Sequence, residues 1–156
     1  MIKPEIVQFF HNQPFTIIST IDKKGYPHNS CKGIVEIDRS GIVYLLDLYT
    51  AVTYENLKNN SRISITAVNE HKFIGYSLKG KAKMVPKNKI SKRVLKLWGK
   101  KIINRISRRL LKNMHGEKGH ALHPEAIMPG PAYLIAVDVD ETIDLTPGHI
   151  KRKAKN

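Results

Sequence analysis

Two short glycine-containing turns divide the first third of the chain into three segments rich in β-branched and apolar residues. The segments span residues 15–21, 26–37 and 42–48, and the turns span residues 22–25 and 38–41. Glycine adopts positive φ without a Cβ clash, so Gly25 and Gly41 suit tight hairpin turns. Such turns join neighbouring antiparallel strands. The pattern therefore predicts a three-stranded antiparallel meander.

The rest of the chain continues the β pattern and interrupts it with helices. Three more strands are predicted, over residues 62–68, 73–85 and 132–143. Helices are predicted over residues 2–10, over residues 53–60 with Thr53 as the cap, and over residues 87–114, where apolar residues recur every three or four positions. Six strands with a short and a longer basic helix predict a mainly β (α+β) fold, a six-stranded antiparallel barrel.

The sequence carries no sign of membrane insertion, export or disulfide bonding. No stretch reaches the roughly 18 apolar residues that a membrane-spanning helix needs. Residues 1–5 lack the apolar core and cleavage site of a secretory signal. A single cysteine, Cys31, excludes an internal disulfide and fits a reducing compartment. We therefore expect a cytoplasmic protein.

Three histidines lie close together in a segment predicted as a loop. They are His115, His120 and His123, with Glu117 and Glu125 nearby. Imidazole and carboxylate groups are common zinc ligands, but this spacing matches no established zinc site. We expect these histidines to be solvated or to line a pocket, and we expect no metal. The chain also lacks a P-loop, a Rossmann glycine fingerprint and a nucleophile elbow.

Four segments of the chain occur in an order that is found in a known family. Residues 20–30 resemble the pattern T-x-x-x-x-G-x-P-x-x-S, and residues 41–47 resemble G-x-I-x-x-x-D. Residues 53–65 look like K-T-x-x-N-L-x-x-N-P-R-V-x-I, and residues 76–82 are similar to a strand with a G-x-A motif. This succession, over nearly half of the chain, resembles the pyridoxamine 5′-phosphate oxidase-like FMN-binding split-barrel family. The resemblance implies a split-barrel homodimer that holds FMN between its subunits.

The resemblance and the chemistry of the residues together nominate a cofactor site. An FMN phosphate needs N–H groups, hydroxyls and a cation, and the helix start at Thr53 offers a positive dipole end. Ser30 and Lys32 share one face of a strand, at a spacing of two. By resemblance, residues 46–48 line the isoalloxazine through backbone groups, and Tyr49 packs on the ring or closes the pocket. The predicted cofactor-binding residues are Ser30, Lys32, Leu46, Asp47, Leu48, Tyr49, Thr50, Thr53 and Asn56.

The chain departs from the family pattern at several positions. Val52 stands where relatives often have a lysine, and Cys31 and Ser61 stand where they usually have proline. The arginine and lysine pair that the oxidase carries on its second strand has no clear counterpart. Vitamin B6 oxidation is therefore not indicated. A flavin site would use Lys32 or a remote lysine to neutralise the phosphate.

The net charge of +14 is concentrated in one segment and in the tail. Residues 71–116 contain fifteen Lys or Arg residues and no acid, whereas the chain outside this segment and the tail carries eight basic and thirteen acidic residues. The basic helix has three readings: a solvated face, a surface for anionic membrane or nucleic acid, and a cap over the flavin that attracts substrate. Trp98 is its only aromatic residue, so a base-stacking platform is not indicated.

The sequence predicts a single FMN-binding domain over residues 1–150 and a basic, disordered tail over residues 151–156. The expected function is that of an oxidoreductase or electron carrier, in which FMN accepts a hydride or electrons and the protein positions it. A nicotinamide cofactor or another small molecule is the expected electron donor, and no side chain is predicted to be catalytic. The alternative is a flavin-free barrel that acts as a basic adaptor for membrane or nucleic acid.

Overall fold

The computed structural model describes residues 2–116 and 127–153, with side chains up to residue 150. Four α-helices and seven β-strands follow one another in this part of the chain. In order they are α1 (Pro4–His11), β1 (Thr16–Ile21), β2 (Pro27–Lys32), β3 (Ile34–Ile37), β4 (Ile42–Asp47), α2 (Val52–Asn59), β5 (Arg62–Asn69), β6 (Ile74–Pro86), α3 (Lys92–Met114), β7 (Tyr133–Asp144) and α4 (Gly148–Lys153).

The seven strands form one antiparallel sheet in the order β2-β1-β5-β6-β7-β4-β3. β2 and β3 lie at opposite ends of this order, yet only Gly33 separates them in the chain. The two ends of the sheet must therefore lie side by side, which requires the sheet to curl on itself. The architecture is an antiparallel split β-barrel of the α+β class, as the sequence predicts.

The number of strands differs from the sequence-based prediction, because the described residues form seven strands rather than six. The segment predicted as one strand over residues 26–37 is two strands that change partner at Gly33. β2 pairs with β1 up to Thr16↔Lys32, and β3 pairs with β4 from Ile34↔Leu45. A Cβ on Gly33 would lie 2.5 Å from the guanidinium of Arg105, so α3 packs against the bare backbone at this point.

The starts of α2 and α3 also differ from the predicted ones. The N-cap of α2 is Ala51, so Thr53 lies inside the first turn and does not cap the helix. α3 begins at Lys92, after a 3-10 turn over Lys87–Lys89, rather than at residue 87. Ser91 caps it, because its Oγ accepts a hydrogen bond of 3.3 Å from the N–H of Val94.

Apolar residues from the sheet and from α1 fill the barrel. Phe10 of α1 packs among fully buried strand residues, namely Ile18, Val43, Leu45, Ile65, Leu78, Ile135 and Val137. A smaller cluster holds the beginning of α3 and consists of Val35, Leu46, Ile90, Val94 and Leu134. Within α3, Val94 is the buried residue. The C-terminal half of α3 therefore lies over the surface of the barrel rather than in its core.

In the part of the chain that the structure describes, no helix combines the length and the apolar character needed to cross a bilayer. Only part of the predicted tail over residues 151–156 lies within the described residues, and its predicted disorder stays a prediction. Residues 151–153 belong to α4, and residues 154–156 lie outside the described residues. That residues 1–150 form a single domain stays a prediction.

Candidate functional site

A cavity of about 290 Å³ opens where β4 ends, between that strand, the junction of β2 with β3, and α3. We name it the strand-end cavity. Its apolar and aromatic lining residues are Phe15, Ile34, Val35, Leu46, Leu48, Tyr49, Trp98, Ile102 and Met128. The other lining residues are Cys31, Lys32, Gly33, Asp47, Lys101 and Arg105. Small-molecule sites typically combine such an apolar lining with a few charged groups.

The strand β4 loses one of its two neighbours at this cavity. Its pairing with β3 stops at Ile34↔Leu45, whereas its pairing with β7 continues to Asp47↔Tyr133. Among the described strands, residues 46–47 therefore have a neighbour on the β7 side alone. Backbone N–H and C=O groups are obligatory hydrogen-bonding groups, so the open side of β4 is suited to a polar ring edge.

A nearly buried ion pair forms one wall of the strand-end cavity. Lys32 Nζ lies 2.6 Å from Asp47 Oδ2, and the same oxygen accepts a hydrogen bond of 2.8 Å from the hydroxyl of Tyr133. Asp47 Oδ1 accepts from the N–H of Leu48 at 2.9 Å. Burial, and then the hydrogen bond to Asp47, raise the pKa of Tyr133, so this phenol stays protonated. The carboxylate of Asp47 therefore balances the charge of the Lys32 ammonium within the protein.

A hydroxyl pair joins β2 to the start of α2. Ser30 Oγ and Thr53 Oγ1 lie 3.2 Å apart, and Thr53 is buried. Ala51, at the N-cap, has no side-chain oxygen, and within the described residues no side chain caps this helix. The first N–H groups of α2 thus lack a side-chain acceptor, next to two hydroxyls. Such a helix start favours an anion.

Asn56, which the sequence places among the cofactor-binding residues, is engaged elsewhere. Its side chain is 4% exposed and donates a hydrogen bond of 3.0 Å to Thr20 Oγ1, which is also buried. This bond fastens α2 to β1. This contact gives Asn56 a structural role. Its predicted role in binding a cofactor stays untested.

The predicted site residues thus fall into groups. Those that line the strand-end cavity are Lys32, Leu46, Asp47, Leu48 and Tyr49. Ser30 and Thr53 contact each other at the start of α2, and Thr50 is exposed on the short connection between β4 and α2. The structure therefore brings eight of the nine residues to one stretch of the barrel edge and its adjoining helix start, and it ties Asn56 to β1.

Several lining residues come from α3 and were not predicted as site residues. Trp98, Ile102 and Arg105 line the strand-end cavity together with Lys101, whose ammonium donates a hydrogen bond of 2.7 Å to the carbonyl of Ile34. Burial, and then the charge of Arg105, lower the pKa of Lys101. In the sequence, these residues are indicated only by the interpretation of the basic helix as a cap over the flavin. In the structure, Lys101 and Arg105 of its basic face line the cavity rather than facing solvent alone.

The histidine segment contributes no candidate site in the described residues. His115 is exposed at the end of α3, whereas His120, His123, Glu117 and Glu125 lie outside the described residues. In the described part of the chain, no group of three His, Cys, Asp or Glu residues could hold a metal ion.

Comparison with known proteins identifies relatives over most of the chain. A family model described as pyridoxamine 5′-phosphate oxidase matches residues 2–142. No curated protein matches the sequence. The crystal structure of HupZ from Group A Streptococcus is 19% identical, with a TM-score of 0.68, and the match covers 95% of this chain and 97% of that one.

Two further solved structures share the fold. One is a putative pyridoxamine 5′-phosphate oxidase from Lactobacillus delbrueckii, 16% identical with a TM-score of 0.60, where 91% of this chain and 93% of that chain are covered. The other carries the name F420 reductase and is 13% identical with a TM-score of 0.55, where 90% and 98% are covered. At these identities the likeness establishes the split-barrel fold.

Proposed function

Because the chain belongs to the pyridoxamine 5′-phosphate oxidase family, we propose that it binds FMN in the strand-end cavity and acts as an oxidoreductase or electron carrier. The observation that carries the proposal is the continuity of two parts of one site. The lining residues at the end of β4 continue to Tyr49, and α2 begins at Val52, with only two residues in between. One part offers apolar and backbone groups for a ring, and the other offers groups for a phosphate.

The strand-end cavity has the chemistry that an isoalloxazine requires. Leu46, Leu48 and Trp98 supply apolar surface, and the open side of β4 supplies backbone donors and acceptors for the polar edge of the ring. Tyr49 is 61% exposed at the cavity, so its ring is free to pack on a ligand. The residues present therefore fit a flavin ring.

The start of α2 has the chemistry that the phosphate requires. The helix dipole and the uncapped N–H groups favour an anion, and the hydroxyls of Ser30 and Thr53 add donors. Val52 stands where relatives often have lysine, so backbone and hydroxyl groups carry more of the binding here. Lys32 lies at the ring end, where Asp47 balances its charge.

A second copy of the chain would complete the site. The strand-end cavity, at about 290 Å³, is at the lower limit of typical ligand pockets, which span about 300–1,000 Å³. Apolar side chains remain exposed beside it, notably Phe15, Ile17 and Val52. A two-fold homodimer would bury such a surface and enclose the rest of the cofactor.

When bound, FMN supplies a ring that accepts a hydride or electrons. The protein's own groups position that ring, exclude water from one face and set the charge around it. Lys32 and Asp47 form a neutral ion pair in the wall, so this wall would offer hydrogen-bonding groups to the ring rather than a net charge. A nicotinamide cofactor or another small molecule would serve as the electron donor.

A double variant tests the phosphate end of the site. Ser30→Ala/Thr53→Ala removes both hydroxyls together and leaves no unpaired partner. Each hydrogen bond to a charged group contributes about 1.5–3 kcal/mol, so FMN affinity should fall by at least about tenfold. Riboflavin, which lacks the phosphate, should bind nearly as before.

A matched control removes hydroxyls elsewhere in the barrel. Thr66 Oγ1 and Ser77 Oγ lie 2.9 Å apart on β5 and β6, Ser64 Oγ contacts both, and none of the three residues lines the strand-end cavity. Ser64→Ala/Thr66→Ala/Ser77→Ala removes this whole cluster of hydroxyls and should leave the affinity for both ligands unchanged. Equal losses of FMN and riboflavin in the Ser30→Ala/Thr53→Ala variant would contradict the phosphate assignment.

A further inference from the structure

A second and larger cavity, of about 580 Å³, lies between the end of α1, residues 12–15 and the C-terminal half of α3. We name it the basic cavity. It is lined by His11, Asn12, Gln13, Pro14, Phe15, Ile34, Lys101, Asn104, Arg105, Arg108, Arg109, Lys112 and Asn113. Its volume is within the range of small-molecule pockets.

The charge of the basic cavity is of one sign. Five cations line it, at positions 101, 105, 108, 109 and 112 of α3, and no Asp or Glu is among its described lining residues. Residues three and four apart share one face of a helix, and like charges at this spacing destabilise it. The sequence thus places five cationic side chains along one wall of a concave space, where a bound anion would contact several of them.

The electrostatics of two partly buried groups agree with this positive potential. Burial, and then the charge of Lys101, lower the pKa of His11, although Glu36 opposes this shift. Burial, and then the charge of Arg105, lower the pKa of Lys101, and Glu36 opposes this shift as well. Both groups therefore carry their positive charge less readily than in water, and an anion would reverse the charge effect.

The remaining lining suits a planar heterocycle. Phe15 is 52% exposed, and the guanidinium of Arg105 lies 4.7 Å from the centre of its ring. Asn12, Gln13, Asn104 and Asn113 add amide donors and acceptors around this aromatic surface. Apolar ring, amides and cations are thus gathered in one recess.

We propose that the basic cavity binds a nucleotide that carries two or more phosphates, with the phosphates on the cations of α3 and the base beside Phe15. A recess closed on one side by residues 12–15 favours such a small ligand over an extended nucleic acid strand. The basic and strand-end cavities share Phe15, Ile34, Lys101 and Arg105. If the proposed function holds, on which this last step rests, the nucleotide is a dinucleotide electron donor beside the flavin.

Calorimetric titration of the flavin-free protein with ADP tests the proposal. ADP should bind saturably and pyrophosphate should compete with it, while adenosine, which lacks phosphate, should bind far more weakly. Arg108→Gln/Lys112→Gln keeps helix propensity and alters residues that line the basic cavity but not the strand-end cavity. Loss of two charge-assisted contacts should weaken ADP by about tenfold or more.

The matched control is Lys81→Gln/Lys83→Gln, which removes the same charge from the exposed face of β6 and should leave ADP affinity unchanged. Three results would overturn the proposal: no ADP binding, equal losses in both double variants, or a short single-stranded oligonucleotide that binds more tightly than ADP. An FMN titration of the same variants distinguishes a failure of the nucleotide proposal from a failure of the proposed FMN-binding function. Arg108→Gln/Lys112→Gln should retain FMN whether or not it binds ADP.

Discussion

The ammonium of Lys32, the last residue of β2, lies 2.6 Å from the carboxylate of Asp47, the last residue of β4. In the order of the sheet, β2 is one outermost strand, whereas β4 is next to the opposite edge. The ion pair therefore joins the two ends of the curled sheet. It is also a wall of the strand-end cavity, so the same contact closes the barrel and shapes the proposed flavin site.

Loss of Lys32 should destabilise the protein through the charge that it leaves behind. Removing one partner of a buried ion pair costs about 3 kcal/mol, and Lys32→Met should lower the free energy of unfolding by about that amount, measured by urea denaturation. In the double variant Lys32→Met/Asp47→Asn the remaining group is a neutral amide that still accepts from Tyr133. Part of the stability should return. Strictly additive losses would contradict the closure role.

The second hairpin turn should make stability depend on acid pH. Burial alone would raise the pKa of Asp38, but hydrogen bonds donated by Ser40, Ile42 and Tyr44 outweigh it and lower the pKa below 3.8. A carboxyl group whose pKa is lowered by folding stabilises the folded state at pH values above its ordinary pKa. This stabilisation is lost as the pH falls through the lowered pKa. Asp38→Asn should therefore destabilise the protein near neutral pH and flatten its acid unfolding curve. Parallel curves for the two proteins would contradict this role.

Asn56 should matter for stability and not for the cofactor. Asn56→Ala leaves Thr20 without its donor in a buried position, which costs about 1–3 kcal/mol. Thermal unfolding should show this loss, while FMN and riboflavin affinities of the folded variant should change equally and little. A loss confined to FMN would instead support Asn56 as a cofactor-binding residue, as the sequence predicts.

The protein should be a dimer in solution. The exposed apolar residues beside the strand-end cavity and its small volume both favour a second copy. Light scattering should give twice the chain mass of 17.7 kDa, with one FMN per protomer. A monomer that binds FMN stoichiometrically would contradict the dimeric site.

Local chemistry made much of the barrel predictable from the sequence. Gly25 and Gly41 have φ of 86° and 90°, as the predicted hairpin turns require. The exchange of strand partners at Gly33 was not predictable, because both flanking segments have β chemistry and the local sequence does not say with which strand each of them pairs. The pattern of β segments and turns therefore predicts the right fold class but one strand too few.

The candidate site was predictable where it is contiguous in the chain. Residues 46–49 line the strand-end cavity together because they are the end of β4 and the two residues that follow it. Trp98, Lys101 and Arg105 were not predictable as site residues, since periodicity defines the faces of α3 but not the element that each face contacts. The predicted cap at Thr53 failed by two residues, because helix starts depend on local backbone geometry that composition does not fix.

Titration of the purified wild-type protein with FMN, followed by visible absorption and flavin fluorescence, tests the central claim most directly. The strand-end cavity and the start of α2 predict saturable binding at one FMN per protomer, with altered flavin bands and co-elution of flavin and protein on gel filtration. Free FMN that keeps its solution spectrum and elutes apart from the folded protein would contradict the claim. That result would favour the flavin-free adaptor.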